Sequence, residues 1–227
     1  MPTALVTGAS RGIGLVIARD LARTHHVVLH GRDEEALAAI AASLPSASVW
    51  VADLSGPEIV VPTTRTESGL DVLVHAAGVI GGVDIAGTSR DDWRRVFEVN
   101  VFAVAEITRQ LLPALRAAQG TVVTINSGSG LTAGPNGGTY AASKFALRAF
   151  ADSLREEERP NGVRVSSVHP GRVDTDMQHE LVEKEGGVYR PELYLEPASV
   201  ADAVRLVVDL PHGATVEMLS VRPTRRA

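Results

Sequence analysis

The chain has 227 residues, which is enough for a continuous buried core and predicts one domain. Apolar residues make up 44% and charged residues 22%, which is typical of soluble globular domains and argues against disorder or a fibrous repeat. The net charge of −5 provides no basic field for nucleic acid, so no nucleic-acid partner is expected. The lack of Cys excludes disulfides, thiolate nucleophiles and Cys-ligated zinc.

The N-terminus has neither a basic region before an apolar run nor a small-residue cleavage site, so no secretory signal is predicted. A long apolar stretch, 96–115, is interrupted by charged and amide side chains and does not suit a membrane span. We therefore expect a cytoplasmic protein without membrane contact.

Seven short β-branched runs predict strands. Nearly all are apolar at every position, which is typical of a parallel sheet covered by helices on both faces. In chain order the runs are 3–7, 26–30, 48–52, 71–74, 121–126, 163–168 and 215–221.

Four helical patterns lie between these runs. The third begins at a capping box on Ser89 and continues past Asn100, although Asn is unfavourable inside a helix. The fourth ends before a breaker cluster at 160–162. The four patterns cover 12–23, 34–44, 89–117 and 139–158.

The alternation of strands and helices predicts a single-domain, Rossmann-type, doubly wound α/β fold over 1–227. Its ligand site should lie at the carboxyl ends of the strands. Two segments break the pattern. Residues 55–69 contain Pro57 and Pro62 and suggest a shortened crossover, while the charged segment 174–197 suggests a mobile insert over the site or a plain surface loop.

A glycine-rich turn follows the first strand and opens the first helix. Gly8, Gly12 and Gly14 allow a tight turn and the close approach of a pyrophosphate, whose charge meets free N–H groups and the helix dipole. A plain strand-to-helix turn is the alternative. Three residues separate Gly8 from Gly12, which departs from the common G-x-G-x-x-G spacing.

Tyr140 and Lys144 lie four residues apart on the fourth predicted helix and therefore share a face. A nearby cation favours phenolate, so Lys144 is expected to lower the pKa of Tyr140 from about 10 towards neutrality, where a general acid/base works best. A surface pair without function is the alternative.

Two further polar residues occupy informative positions. Ser127 follows an apolar strand and should emerge at the carboxyl edge of the sheet, where its hydroxyl either binds a substrate oxygen or caps a loop. Asn100 either kinks its helix or has a role in the site.

These elements, in this order, resemble the short-chain dehydrogenase/reductase family over essentially the whole chain. The glycine spacing, the Tyr-x-x-x-Lys pair and the separations between Asn100, Ser127 and Tyr140 match that family. The resemblance implies that Asn100, Ser127, Tyr140 and Lys144 are catalytic. It also implies that Asn100 holds a water in a proton relay and that Lys144 binds the nicotinamide ribose.

The resemblance also implies a set of cofactor contacts. Asp53-Leu54 would hold the adenine ring, and the Pro-Gly turn at 170–175 would pack on the nicotinamide. His75-Ala76 replaces the Asn-Asn of the family, which leaves open how the neighbouring strands are tied together. The expected cofactor-binding residues are Gly8, Ser10, Arg11, Gly12, Ile13, Gly14, Arg32, Asp53, Leu54, Ala76, Ala77, Gly78, Tyr140, Lys144, Pro170, Gly171, Val173 and Thr175.

The residues after the second strand favour NADP(H) over NAD(H). Dinucleotide folds that bind NAD place an acid about 20 residues beyond the glycines, where it takes the ribose hydroxyls. Here Gly31 occupies that position, Arg32 follows it, and Arg11 can approach the same 2′-phosphate from the glycine turn. Pairing of Arg32 with Asp33 is the alternative.

None of the seven His forms an H-x-x-x-H pair, so no metal site is expected. His169 precedes the Pro-Gly turn and is expected either to line the site or to be a plain loop residue. The substrate pocket is expected between 128–138, His169 and the insert 174–197.

Through the resemblance, the sequence implies an NADP(H)-dependent oxidoreductase that interconverts a carbonyl and an alcohol of a small-molecule substrate, with Tyr140 as general acid/base. A nucleotide-sugar-type epimerase or dehydratase and a non-catalytic dinucleotide-sensing protein are the alternatives. A homodimer or homotetramer is also expected, in which helices 89–117 and 139–158 pair with a partner's copies and 215–221 joins another contact.

Overall fold

A computed structural model describes residues 1–62, 69–81 and 84–225. The seven predicted strands form one sheet, in which every neighbouring pair is parallel. The strands are β1 (Thr3–Thr7), β2 (His26–Gly31), β3 (Ala47–Val51), β4 (Val72–His75), β5 (Thr121–Ile125), β6 (Arg164–Pro170) and β7 (Met218–Val221). Their order, β3-β2-β1-β4-β5-β6-β7, confirms the Rossmann-type doubly wound prediction.

Helices cover both faces of this sheet. They are α1 (Gly12–Leu21), α2 (Glu34–Ala42), α3 (Arg90–Phe97), α4 (Ala103–Ala118), α5 (Gly138–Glu158), α6 (Asp176–Lys184) and α7 (Pro197–Val208). In the described ranges, none of them is long and apolar enough to cross a membrane.

The core consists of two apolar layers, one on each face of the sheet. Side chains of α1 and α7, such as Leu21 and Val204, pack on one face, and side chains of α4 and α5, such as Leu111 and Leu154, pack on the other. Every residue of β2, β4 and β5 is buried, as the continuous apolar runs predict.

The described part of the segment 55–69 contains no helix. Instead, Ile59 and Val61 are buried in the layer beside α4, and the Gln110 amide holds the backbone of both. Its Nε2 donates to the Ile59 carbonyl at 2.5 Å, and its Oε1 accepts from the Val61 N–H at 3.1 Å. An extended stretch thus covers the sheet where a longer crossover would place a helix; residues 63–68 of the predicted segment lie outside the described residues.

The third helical pattern does not form one uninterrupted α-helix. A π-helical turn over Glu98–Phe102 joins α3 to α4, and Asn100 lies at its centre. Such single-turn π-insertions widen a helix and are frequent at functional sites. Asn100 therefore interrupts the regular α-helical pattern with a wider turn.

Two helices, α6 and α7, lie in a region for which the sequence analysis predicts none. Thr175 caps α6 by accepting from the Gln178 N–H, and Pro197 opens α7, whose buried Val200, Val204 and Val207 follow helical spacing. The insert 174–197 therefore has regular structure of its own.

Candidate active site

Ser127, Tyr140 and Lys144 meet at the carboxyl end of β5. Ser127 lies two residues after the end of that strand, and the other two lie near the start of α5. The Ser127 side chain lies near the Tyr140 hydroxyl and acts to lower its pKa. The Lys144 ammonium lies 5.6 Å from the centroid of the Tyr140 ring and donates to the Ile125 carbonyl at 2.9 Å. The structure therefore brings these three predicted residues together.

The electrostatics of this group differ from the sequence-based expectation. Burial raises the pKa of Tyr140, and the hydrogen bond from Ser127 only partly opposes it. The expectation that Lys144 lowers this pKa is wrong here, because its ammonium lies by the ring and is bonded to a backbone carbonyl. Burial in turn lowers the pKa of Lys144 to about 8. Lys144 can therefore exchange a proton close to neutral pH.

Asn100 braces the same region from the π-turn. Its Oδ1 accepts from the Val79 N–H at 2.9 Å, and its Nδ2 donates to the Val79 carbonyl and to the Ser143 hydroxyl, each at 3.0 Å. A Cβ added at Gly78 would lie 3.4 Å from Asn100 Oδ1 and 3.8 Å from Lys144 Nζ. Asn100, Gly78 and Lys144 therefore border one small space.

The glycine turn has the shape that a pyrophosphate requires. Gly8 and Gly12 have left-handed backbones, with φ of 67° and 55°. A Cβ at Gly8 would lie 2.8 Å from Ala77 Cα, and one at Gly14 would lie 2.2 Å from the Gly8 carbonyl oxygen. No side chain caps the first N–H groups of α1, which therefore remain available for an anion. The residues present fit a dinucleotide.

A hydroxyl in β1 supplies the tie between strands that the sequence analysis left open. Thr7 Oγ1 accepts from the N–H groups of Ala76 and Ala77, each at 3.1 Å. His75 is fully buried, and its Nε2 lies 2.9 Å from Thr108 Oγ1 on α4. The Asn-Asn pair of the family is thus replaced by a threonine hydroxyl and a buried imidazole.

Most of the expected cofactor contacts line one open cleft across the carboxyl ends of the strands. Those in the cleft are Gly8, Ser10, Arg11, Gly12, Ile13, Gly14, Arg32, Asp53, Leu54, Ala76, Ala77, Gly78 and Thr175. Five expected contacts do not line it, namely Tyr140, Lys144, Pro170, Gly171 and Val173.

Residues 175–177, which follow the turn after β6, line one side of this cleft. Gly171 donates its N–H to the Val221 carbonyl at 2.7 Å, and Val173 forms a bridge with Leu195. Thr175 then approaches the glycine turn, where its Cγ2 would lie 3.5 Å from a Cβ at Gly12. The insert 174–197 thus starts at the cleft wall, and its two ends are joined by the Val173–Leu195 bridge.

Two arginines at the adenosine end have different surroundings. Asp33 does not pair with Arg32, because its side chain caps α2 by accepting from the Ala36 N–H at 3.0 Å. Within the described ranges Arg32 forms no ion pair. Arg11 pairs with Asp176 at 3.3 Å, and both side chains are about 70% exposed. That contact crosses the cleft mouth and was not predicted.

His30 is a cleft residue that the sequence analysis missed. It ends the apolar run of β2, so its position at the carboxyl edge of the sheet was the available signal. Its Nδ1 accepts from the Gly8 N–H at 3.2 Å, and its Nε2 donates to the Ala52 carbonyl at 3.2 Å. Burial lowers the pKa of His30 to about 4. A neutral imidazole therefore supports the glycine turn.

Other cleft residues also fell outside the prediction. They are Gly31, Ala52, Ser55, Val79, Arg95, Val99, Asp176 and Met177. Ser55 donates two hydrogen bonds to Asp53, at 2.9 and 2.8 Å, and these bonds lower the pKa of Asp53. Among the described residues, no cluster of three or more His, Asp or Glu could hold a metal ion.

Comparisons with known proteins agree with this architecture. A family model described as short chain dehydrogenase matches residues 2–186. An uncharacterized short-chain type dehydrogenase/reductase of Sinorhizobium fredii is 33% identical, over 97% of this chain and 91% of that protein. The glycine betaine reductase of Emericella nidulans is 32% identical over 97% of this chain, which spans only 18% of that protein.

A solved structure is similar over the full length. It is an alcohol dehydrogenase from the archaeon Thermococcus sibiricus, complexed with 5-hydroxy-NADP. It has a TM-score of 0.88 and 30% identity, covering 100% of this chain and 98% of that one. The sheet order, the glycine turn and these matches together show that the chain belongs to the short-chain dehydrogenase/reductase family of oxidoreductases.

Proposed function

We propose that this chain is an NADP(H)-dependent oxidoreductase that interconverts a carbonyl and an alcohol of a small-molecule substrate, with Tyr140 as the general acid/base. The observation that carries the proposal is the grouping of the Ser127 and Tyr140 side chains beside buried Lys144. A carbonyl oxygen that becomes an alcohol needs a proton and a hydrogen bond at one point. This pair of hydroxyls can supply both.

Nicotinamide, when bound, would supply or accept the hydride. In reduction, Tyr140 gives its hydroxyl proton to the substrate oxygen while Ser127 donates a hydrogen bond to the same oxygen. Ser127 Oγ already accepts from the Ser129 N–H at 3.1 Å, which leaves its own hydrogen for that donation. In oxidation the transfers run in reverse, and Tyr140 takes up the proton.

Lys144 and Asn100 support the proton transfer from behind Tyr140. With a pKa of about 8, Lys144 can return a proton to the site after Tyr140 has donated its own. Asn100 Oδ1 accepts one bond from the Val79 N–H and retains a second lone pair, which can hold a water of the proposed relay. Lys144 would also bind the nicotinamide ribose.

Three observations support NADP(H) as the cofactor. Arg32 and Arg11 line the cleft, and Gly31 stands where an acid would repel a 2′-phosphate. Because Asp33 caps a helix, it leaves the Arg32 guanidinium free for two hydrogen bonds to a phosphate. The similar alcohol dehydrogenase carries an NADP derivative.

A carbonyl screen tests the proposed function. Aldehydes, ketones, keto acids, sugars and quinones are offered with NADPH, and loss of NADPH absorbance is followed for the wild type and for Tyr140→Phe. Turnover by the wild type alone supports the proposal. NADPH binding without turnover of any compound favours a sensor, and substrate conversion without net NADPH loss favours an epimerase or dehydratase.

The assembly proposal is a homodimer or homotetramer. Phe102 and Phe145, on the helices expected to pair, are 54% and 40% exposed, which is high for large apolar side chains. Light scattering tests the assembly, and a monomer at micromolar concentration would contradict it.

A separate proposal concerns the segment 174–197. It is an insert that covers the substrate and moves about the Val173–Leu195 bridge.

A further inference from the structure

His169 has no role in the chemistry described so far, yet it touches Ser127. It is the next-to-last residue of β6, and its side chain is fully buried. Its Nδ1 lies 2.9 Å from the Ser127 carbonyl oxygen, and its Nε2 lies 2.9 Å from Ser167 Oγ. The expectation that His169 lines the site or lies in a loop is therefore wrong, because the residue belongs to strand β6 and its imidazole is buried behind Ser127.

The hydrogen-bond partners assign one tautomer to this imidazole. A carbonyl oxygen only accepts, so Nδ1 must carry the hydrogen that goes to Ser127. Nε2 must then accept from the Ser167 hydroxyl, and Thr124 Oγ1 donates to that hydroxyl at 3.2 Å. The hydrogens thus point in one direction, from Thr124 through Ser167 and His169 to the Ser127 carbonyl.

The imidazole also stays neutral. Burial lowers the pKa of His169, and the cations of Arg148, Arg222 and Lys144 act in the same direction. The bond to the Ser127 carbonyl opposes them only in part. A single uncharged tautomer is therefore held in place.

The hydrogen bond from His169 helps to fix the backbone of Ser127. Its N–H donates to Asn126 Oδ1 at 2.9 Å, and its carbonyl accepts from His169, so both flanking peptide groups are fixed. Asn126 itself donates to the Lys144 carbonyl at 3.1 Å, which ties this turn to α5. With both peptides fixed, the bond that Ser127 Oγ accepts from the Ser129 N–H at 3.1 Å holds the side chain in one position near Tyr140.

We propose that His169 is a positioning residue that clamps the Ser127 carbonyl and thereby aims the Ser127 hydroxyl at the oxygen of the reacting carbonyl. The proposal rests on the carbonyl–alcohol chemistry proposed above. It assigns no contact with substrate or cofactor to His169. Misplacement of a catalytic group by about 1 Å costs up to about 10²-fold in rate, so a buried clamp has a measurable effect.

Two substitutions distinguish a hydrogen-bonding role of His169 from a role in packing alone. His169→Leu keeps a branched side chain but has no donor, whereas the Nδ2 of His169→Asn can take the place of Nδ1 and donate to Ser127. We expect His169→Leu to lower kcat about 10-fold or more while the Kd for NADPH stays within about threefold. His169→Asn should recover kcat to within about threefold of wild type. The apparent pKa of the kcat profile should rise in His169→Leu, because the Ser127 bond that lowers the pKa of Tyr140 is lost.

The double variant His169→Leu/Ser127→Ala gives a second check. If His169 acts through Ser127, this variant is no slower than Ser127→Ala alone. Wild-type kcat in His169→Leu would overturn the proposal. Parallel loss of kcat and NADPH binding, without rescue by Asn, would show a packing role only.

Misfolding of His169→Leu and a lack of carbonyl reduction by the wild type have different consequences for the proposal. If His169→Leu does not fold, Ser167→Ala tests the same series of hydrogen bonds, because it removes the hydroxyl that donates to His169 Nε2. In Ser167→Ala, kcat should fall by about two- to fivefold. An unchanged kcat would overturn the proposed clamp. If the wild type reduces no carbonyl in the screen, the proposed function fails and the positioning role fails with it. A wild type that turns over, together with an equally active His169→Leu, removes only the present inference.

Discussion

The proposed site has two ends that are built differently: a catalytic end around Tyr140 and Lys144, beside the cleft, and an adenosine end around Arg11 and Arg32, inside it. At the catalytic end, Asn100, Lys144 and His169 are almost fully buried, and each is bonded to backbone groups of a neighbouring element. At the adenosine end, the side chains of Arg11 and Asp176 are about 70% exposed and form an ion pair with each other. Burial fixes side chains at one end, and exposure leaves them adjustable at the other. The chemistry should therefore depend on the first end and the choice of cofactor on the second.

The largest effect is expected at the buried end, from Tyr140→Phe. Removal of the hydroxyl leaves the ring packing intact but takes away the proposed acid, which is worth about 10²–10⁴ in rate. Steady-state kinetics should show that loss in kcat, while the Kd for NADPH stays within about a few-fold. A variant that retains more than about a tenth of wild-type kcat would contradict the mechanism.

A second large effect is expected from Gly14→Ala, which tests the glycine turn that lies between the two ends. The new Cβ would lie 2.2 Å from the Gly8 carbonyl oxygen, so the turn has to move. Overpacking of this kind costs about 1–3 kcal/mol. If this free energy destabilises the NADPH-bound conformation of the turn, NADPH affinity falls by about 5- to 150-fold. Gly213→Ala is the matched control, because its Cβ would meet nothing within 4 Å. Equal NADPH affinity in both variants would show that this turn does not hold the cofactor.

The pH dependence of the free energy of unfolding tests whether two buried imidazoles are neutral. They are His30 on β2 and His75 on β4, the two strands that flank β1. The pKa of His30 is about 4 and that of His75 about 3, both below the ordinary value of 6.5. The unfolded chain therefore binds protons first as the pH falls below 6.5, and the free energy of unfolding decreases towards pH 4. Urea unfolding at pH 7 and pH 4.5 should show this loss. His30→Asn should reduce the dependence, by about 2–3 kcal/mol at most.

An undiminished loss of stability in His30→Asn would contradict the buried neutral imidazole. His25, His75 and His169 also have lowered pKa values and remain in that variant. The comparison therefore isolates His30 against a constant background.

The sequence predicted which residues reach the carboxyl edge of the sheet better than how their side chains interact there, and the reason is physical. Strands buried on both faces leave a strong apolar pattern, and residues that follow such strands must emerge at one edge. That logic located Ser127 and the glycine turn, and it applies equally to His30, which was overlooked. The pattern of α7, with Val200, Val204 and Val207, was also legible in the sequence.

Other features could not be predicted because they depend on distant pairings. The Arg11–Asp176 contact joins residues 165 positions apart, and the His169–Ser127 bond joins residues 42 apart. The raised pKa of Tyr140 comes from burial of its side chain by other elements, which helical spacing does not determine. Local patterns establish elements and edges, whereas such contacts follow only from the assembled fold.

At the exposed end, Arg32→Ala tests cofactor choice. Only a contact with the 2′-phosphate is lost, so KM for NADPH should rise about tenfold while KM for NADH changes little. Arg23→Ala is the control, because it removes an equal charge at an exposed position outside the cleft. Equal KM values for the two cofactors in the wild type would show that neither arginine reads the phosphate.

The smallest effect is expected from Asp176→Asn, which removes the partner of Arg11 without removing Arg11. In the wild type a 2′-phosphate must compete with the Asp176 carboxylate for that guanidinium, although the competition is weak because solvent and salt screen exposed pairs. Asp176→Asn should therefore lower the Kd for NADPH by about two- to threefold at low salt, leave the Kd for NADH unchanged, and lose its advantage at high salt. Asp202→Asn, on α7, makes the same change in net charge and should alter neither Kd. If Asp176→Asn instead weakens NADPH binding, the carboxylate orients Arg11 towards the cofactor, and even the exposed end of the cleft is preorganised.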